Sequence, residues 1–205
     1  MAAYIHDYVN LDTLIAIMLA ISLSAAAGFR VFVPLLVLSG AAVIGHVDLP
    51  ANFDWIETQP ALVLFAVACL LEIGGYYIPW FDHALDFVST PAAILAGTVV
   101  TASLAPEMNP LVQWTLALAA GGGTAGITKG LMNIFRATST ATTGGLTNPI
   151  FSTFELIAAA GLSILAVTIP LVGGVAVIVI LTIAIRQLWR LLARFQPQTP
   201  EPPMP

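Results

Sequence analysis

The chain has 205 residues, 59% of them hydrophobic and only 8% charged, with a mean hydropathy of +0.95 and a net charge of −5. A soluble domain carries about 25% charged residues, so a water-soluble globular protein is excluded. Six basic residues cannot build a phosphate-tracking surface, which excludes nucleic acid as a partner. The single cysteine, Cys69, allows neither an intrachain disulfide nor a cysteine-based metal site.

A hydrocarbon core of about 30 Å takes about 20 apolar residues per helix. The long Leu, Ile, Val and Ala runs favour helices over the alternating strands of a barrel. The expected fold is all-α: a polytopic transmembrane bundle of about six spans, one domain over residues 1–195. In chain order the spans are Leu11 to Ile44, Pro60 to Trp80, Pro91 to Ala105, Pro110 to Phe135, Pro149 to Ile169 and Leu171 to Phe195. Prolines open four of them, as suits a first helical turn. The first segment would be about 51 Å long as one helix, so it must tilt, break or re-enter. Gly28 and Pro34 are its candidate hinges, because Pro removes a backbone donor and crowds the preceding turn. Its start resembles a secretory leader, but no Lys or Arg precedes it and Asp7 and Asp12 do, so a retained span is expected.

Arg186, Arg190 and Arg194 cluster near the C-terminus, which the positive-inside rule places in the cytoplasm. Six spans then put the Arg136 loop and the N-terminus on the same side, and Asp48, Asp54, Glu57 and Glu107 outside; a broken first segment that crosses twice would instead put the N-terminus outside. The tail 196–205 is Pro-rich and expected to be disordered and extended.

A weak internal repeat divides the chain into halves of about 11–105 and 110–195. Ala27-Gly28 in the first span is echoed by Ala125-Gly126 in the fourth. Each half then carries a lone acid in its next span, Glu72 and Glu155, followed by small residues. Three spans per half would run in opposite senses, the 3+3 inverted repeat of many transporters, with a site at the midplane. Chance competes, because Ala-Gly is common in Ala-rich membrane helices.

Arg30 is the one charged side chain between Leu14 and Val47. Such a guanidinium costs about 2.5–3.5 kcal/mol to insert on translocon scales, so it faces a partner acid, a bundle interior or a wet cavity. Glu72 is the expected partner. Glu72, Tyr76, Pro79, His83 and Asp86 follow at spacings of 4, 3, 4 and 3, one face of a helix. Pro79 is a third candidate hinge and would free the Gly75 carbonyl as a cation or water ligand. Lys129, Asn133, Arg136 and Thr140 form a second polar face, continued by a hydroxyl-rich block from Ala137 to Pro149 in which Thr140, Thr143 and Asn148 are candidate ligands. The plainer readings are aromatic-belt anchors for Tyr77 and Trp80, loop positions for Asp82, His83 and Asp86, and an N-cap for Asn148. An acid held away from water takes up a proton more readily, which suits a proton carrier, whereas a bound cation would keep it ionised.

Enzyme signatures are missing: no two histidines lie at metal-ligand spacing and no Gly-x-Ser-x-Gly elbow appears. No cofactor is expected, and the sequence names no metal.

The Ser24 to Leu36 run, the Glu72 to Asp86 run, Thr90-Pro91-Ala92-Ala93 and the Ala137 to Glu155 block together resemble the bacterial membrane family catalogued as domain of unknown function 4126. The resemblance covers about Leu23 to Leu165 and implies a polytopic inner-membrane protein, with no activity to carry over. The expected function is a small transporter or channel for an inorganic ion or small polar solute. Arg30, Glu72, Tyr76, Lys129, Asn133 and Glu155 would line the site, with Thr140, Thr143 and Asn148 at its cytoplasmic mouth. Two alternatives stand beside it: a non-transporting structural subunit whose buried ion pairs fix helix packing, and a lipid head-group enzyme or flippase. The expected partners are the bilayer and the solute, with a homo-oligomer left open.

Overall fold

The computed structural model describes residues 11–106, 108–144 and 146–194, and the side chains among these except those of 79–83, 188 and 191–194. Glu107, the 196–205 tail, His6 and Asp7, and the side chains of Pro79, Trp80, Asp82, His83 and Arg194, all invoked above, lie outside the described residues.

Every regular element among the described residues is helical. In chain order they are α1 (Leu11–Phe29), α2 (Phe32–Val43), a short 3-10 helix (Ala51–Glu57), α3 (Gln59–Tyr76), α4 (Pro79–Leu104), α5 (Pro110–Leu116), a π-helical segment (Ala117–Gly122), α6 (Gly123–Thr143), α7 (Asn148–Thr168) and α8 (Pro170–Arg194). Five stretches are long and apolar enough to cross a membrane: Leu11–Phe29, Gln59–Tyr76, Ala84–Leu104, Asn148–Thr168 and Pro170–Gln187. The helical run from Pro110 through Thr143 adds a sixth long element, whose polar face is buried. The chain is a helical membrane bundle.

The first segment breaks between α1 and α2, at Arg30 and Val31. Pro34, in the first turn of α2, has no N–H to give the Arg30 carbonyl, so the break falls one helical turn before it. Gly28 is not the hinge. It lies inside α1, buried, where a Cβ would come within 2.6 Å of the Ala125 carbonyl. It is a point of close helix contact, on a buried stripe of small residues from Ser24 to Gly28. Apolar burial does not drive helices together in lipid, so such stripes matter because they let backbones approach. The second half also opens on an interrupted helix, π-wound at Ala117–Gly122.

Two span boundaries differ from expectation. α4 starts at Pro79, not Pro91, which sits inside the helix. Its first three turns carry the polar Asp86, Ser89 and Thr90, which hydropathy alone reads as loop. α6 runs on to Thr143, through the hydroxyl-rich stretch. There the Thr138, Thr142 and Thr143 hydroxyls donate to the carbonyls of Ile134, Thr138 and Ser139 in their own helix. Thr hydroxyls pointed back into a helix in this way need no loop.

α1 is the central helix and packs on α4, α6, α7 and α8. The end of the bundle holding the 3-10 helix is closed by packing. Phe53 and Ile56 are buried there, the Ser39 hydroxyl donates to the Ile56 carbonyl (2.6 Å), and Gln113 Nε2 donates to the Ala102 carbonyl (2.9 Å). The polar groups therefore gather toward the opposite end.

Candidate functional site

The turn at Tyr77 and Ile78 and the turn residues Gly144, Leu146 and Thr147 mark that opposite end. The break at Arg30 brings the middle of the first segment level with it. Glu72 lies four residues before the end of α3, and Asp86 and Glu155 lie seven residues after the starts of α4 and α7. At 1.5 Å per residue these groups are about 6–10 Å inside the helix ends, displaced from the helix middles toward one end of the bundle.

Glu72 does not pair with the Arg30 guanidinium. Its two carboxylate oxygens accept from the backbone N–H groups of Val31 (2.8 Å) and Phe32 (3.0 Å). Those donors open α2 and have no intrahelical partner, and an anion is favoured at a helix N-terminus by the helix dipole. The acid thus clamps the start of the half-helix.

Arg30, 1% exposed, turns instead to α7. Its Nη2 donates to the Ser152 carbonyl at 2.8 Å and lies 3.8 Å from Glu155 Oε2. Arg136 joins them from α6, with Nη1 2.8 Å from Asp86 Oδ1 and 3.8 Å from Glu155 Oε2, and Nη2 donating to the Ser152 hydroxyl at 2.9 Å. Lys129, two helical turns earlier on α6 and also 1% exposed, donates to the Tyr76 hydroxyl at 3.3 Å and sits 3.7 Å from Asp86. The Tyr76 ring is the common surface. The Arg30 guanidinium lies 3.9 Å from its centroid, that of Arg136 4.9 Å, and the Lys129 ammonium 5.6 Å. Cation–π attraction is worth about 0.5–2 kcal/mol per contact when desolvated, which helps hold three like charges around one ring.

The Arg30–Glu155 pair is short of hydrogen bonds: among the described residues neither Glu155 oxygen accepts one, and Arg30 Nε and Nη1 donate none. Buried polar groups in proteins are nearly always hydrogen-bonded, so this pair has donors and acceptors to spare.

Beside the cluster a cleft of about 540 Å³ is lined by Asp86, Asn133, Arg136, Thr140 and Asn148. The Asn133 amide donates to the Thr90 hydroxyl (3.1 Å), and the Thr140 hydroxyl donates to Asn148 Oδ1 (3.4 Å). Thr147, not Asn148, stands at the N-cap position of α7. Thr143 bonds the Thr147 hydroxyl at 3.1 Å, and Ser139 bonds it as well. A second cleft, about 350 Å³, opens sideways between α2, α3 and α4 onto Glu72 and Tyr76. No group of three or more His, Cys, Asp or Glu side chains suited to a metal ion occurs among the described residues.

Of the sequence candidates, Arg30, Glu72, Tyr76, Lys129 and Glu155 converge, and Asn133, Thr140 and Asn148 line the adjoining cleft. The presumed common helix face from Glu72 to Asp86 does not exist, because the helix ends at Tyr76. The Ile78 N–H takes the Gly75 carbonyl (3.1 Å), so that carbonyl is no free ligand. Asp86 still reaches the cluster, from the neighbouring helix. Asp86 and Arg136, which the sequence put on the two polar faces but not among the candidate ligands, are site residues, and so is Ser152, which carried no signal.

Neither a curated protein nor a solved structure matches the chain. The family model described as domain of unknown function (DUF4126) matches residues 17–190 and so takes in every residue of the cluster. With its charged cluster inside the matched region, this helical membrane protein belongs to the DUF4126 family.

Proposed function

We propose that the chain is a small transporter or channel for an inorganic ion or small polar solute, bound where Arg30, Glu155 and Arg136 meet beneath Tyr76. The observation that carries this reading is the buried Arg30–Glu155 pair, in which both Glu155 oxygens and Arg30 Nε and Nη1 lack hydrogen bonds among the described residues, next to a polar cleft. Ionisable groups inside a membrane bundle are costly and typically mark ion or solute pathways. The Asp86–Arg136 pair stands between cleft and pair, and its rearrangement would admit the solute. The C-terminal arginines favour the cytoplasmic side for this cleft by the positive-inside rule, and the family resemblance favours a bacterial inner membrane.

A flux screen of inorganic ions and small polar solutes on the full chain in liposomes tests the reading. One class should pass faster than through protein-free vesicles, and Arg30→Gln should remove the difference. No flux for any solute would end it. The Glu72 clamp favours one rival, a non-transporting subunit whose charges only fix helix packing. That rival predicts sealed vesicles and an unaltered fold when Arg30 and Glu155 are replaced together by apolar residues.

A further inference from the structure

α8 holds the least buried of the five span-length stretches, and its outer face changes character once along its length. Val172, Ala176, Val179, Ile183, Arg186 and Arg190 follow at spacings of 4, 3, 4, 3 and 4, a single helical stripe. A groove of about 620 Å³ runs along its apolar part, lined by Leu171, Val172, Val175, Ala176, Val179 and Ile180. Farther along the same stripe stand Arg186 and Arg190, both exposed. The 25 residues of α8 make a helix about 37 Å long. A hydrocarbon core is about 30 Å thick, so the end that carries the arginines reaches the head-group layer. Trp189, exposed between them in sequence, stands at the level where indole rings favour that layer.

Among the described residues neither Arg186 nor Arg190 enters a hydrogen bond or an ion pair, and α8 contains no Asp or Glu. The helix dipole favours cations within the last turn only. Arg186 lies two turns before the end at Arg194, so the dipole does not account for it. An anion with a long apolar part matches both halves of the stripe. The guanidinium fork suits phosphate oxygens, and the groove suits an acyl chain. Ala176, in mid-groove, precedes Arg186 by about 15 Å along the axis, half the thickness of the hydrocarbon core. A second copy of the chain matches less well. Copies inserted in the same sense and related by a two-fold axis set this stripe against itself, arginine facing arginine. We propose that this face of α8 binds one anionic phospholipid, an acyl chain along Val172 to Ile180 and the phosphate on Arg186 and Arg190. The site uses no residue of the charged cluster, and it holds whether or not the chain transports a solute.

The test equilibrates the full chain in nonionic detergent with phosphatidylglycerol and phosphatidylcholine of identical acyl chains, and counts retained lipids by native mass spectrometry. Inorganic phosphate serves as the probe without a chain. Phosphatidylglycerol should be retained at one tight position where phosphatidylcholine is weak, and added salt should erode the preference. Arg186→Gln and Arg190→Gln should each weaken phosphatidylglycerol about fivefold, the effect of one basic residue near an anionic surface, and leave phosphatidylcholine unchanged. Val179→Trp, which fills the groove, should weaken phosphatidylglycerol with both arginines in place. Equal retention of the two lipids, or a preference that survives loss of both arginines, overturns the proposal. So does full competition by inorganic phosphate, which would mark an ion site with no place for a chain. A dimer that excludes lipid from this face overturns it in favour of a second copy. If a variant does not fold, the lipid preference of the unmodified chain and its salt dependence decide.

Discussion

The carboxylate of Glu72 binds the backbone N–H of Val31 at 2.8 Å, one residue beyond the guanidinium that the sequence offers it as a partner. The distinction has a measurable consequence. An acid that caps a half-helix should matter for fold stability more through its acceptors than through its charge. Glu72→Gln keeps one acceptor and should cost about 1–3 kcal/mol, whereas Glu72→Ala strands both N–H groups and should cost more. Thermal unfolding in detergent should rank the variants in that order; equal losses would show that charge is what counts.

The Arg30–Glu155 pair makes a different prediction. Removing one member takes away a counter-charge of the other inside the bundle, and breaking a buried pair in this way costs about 3–5 kcal/mol. Arg30→Met and Glu155→Met should each destabilise by that order, and the double variant should recover most of the loss. Denaturant titration of the four proteins in one detergent gives the coupling energy directly. Additive losses would mean that the 3.8 Å separation is not an energetic pair.

Close packing of α1 on α6 can be tested at two glycines. A Cβ at Gly28 would lie 2.6 Å from the Ala125 carbonyl, whereas at Gly130 it meets nothing within 4 Å. Gly28→Ala should therefore destabilise by about 1–3 kcal/mol. Gly130→Ala should be neutral or stabilise by about 0.5–1 kcal/mol, the usual difference between these residues in a helix. Their unfolding midpoints should move in opposite directions or, at the least, only the first should fall.

The cleft predicts an accessibility pattern. Ala141 lines it and is exposed, while the natural Cys69 is buried. Ala141→Cys should react with a membrane-impermeant thiol reagent from the side that carries the C-terminal arginines, and the unmodified chain should stay unlabelled. Labelling from the other side would reverse the orientation inferred from Arg186, Arg190 and Arg194.

The bundle, the break in the first segment and most of the charged cluster were legible because charge inside an apolar run has one strong physical meaning. Arg30, Lys129 and Glu155 announce an interior wherever their partners lie. Which acid meets which base was not legible. Glu72 and Arg30 are complementary in sign, yet the broken helix offers Glu72 two unpaired amides, and these take its oxygens before the guanidinium can. Asp86 looked like a loop residue because hydropathy cannot register a helix whose first turns are polar toward the bundle. Ser152 is invisible to any reading of residue type, since its backbone carbonyl is half of what it contributes.

The π-wound turn at Ala117–Gly122 fixes how α5 and α6 are rotated about their shared axis. A π turn absorbs one residue more than an α turn, so deleting one alanine there would let the turn close as ordinary α-helix, with Gln113 still on the Ala102 carbonyl and Lys129 still at Tyr76. The same deletion between Gly123 and Lys129 would rotate Lys129 by about 100° relative to Gln113. A one-residue deletion should consequently be tolerated in that single turn long before it is tolerated in the first turns of α6.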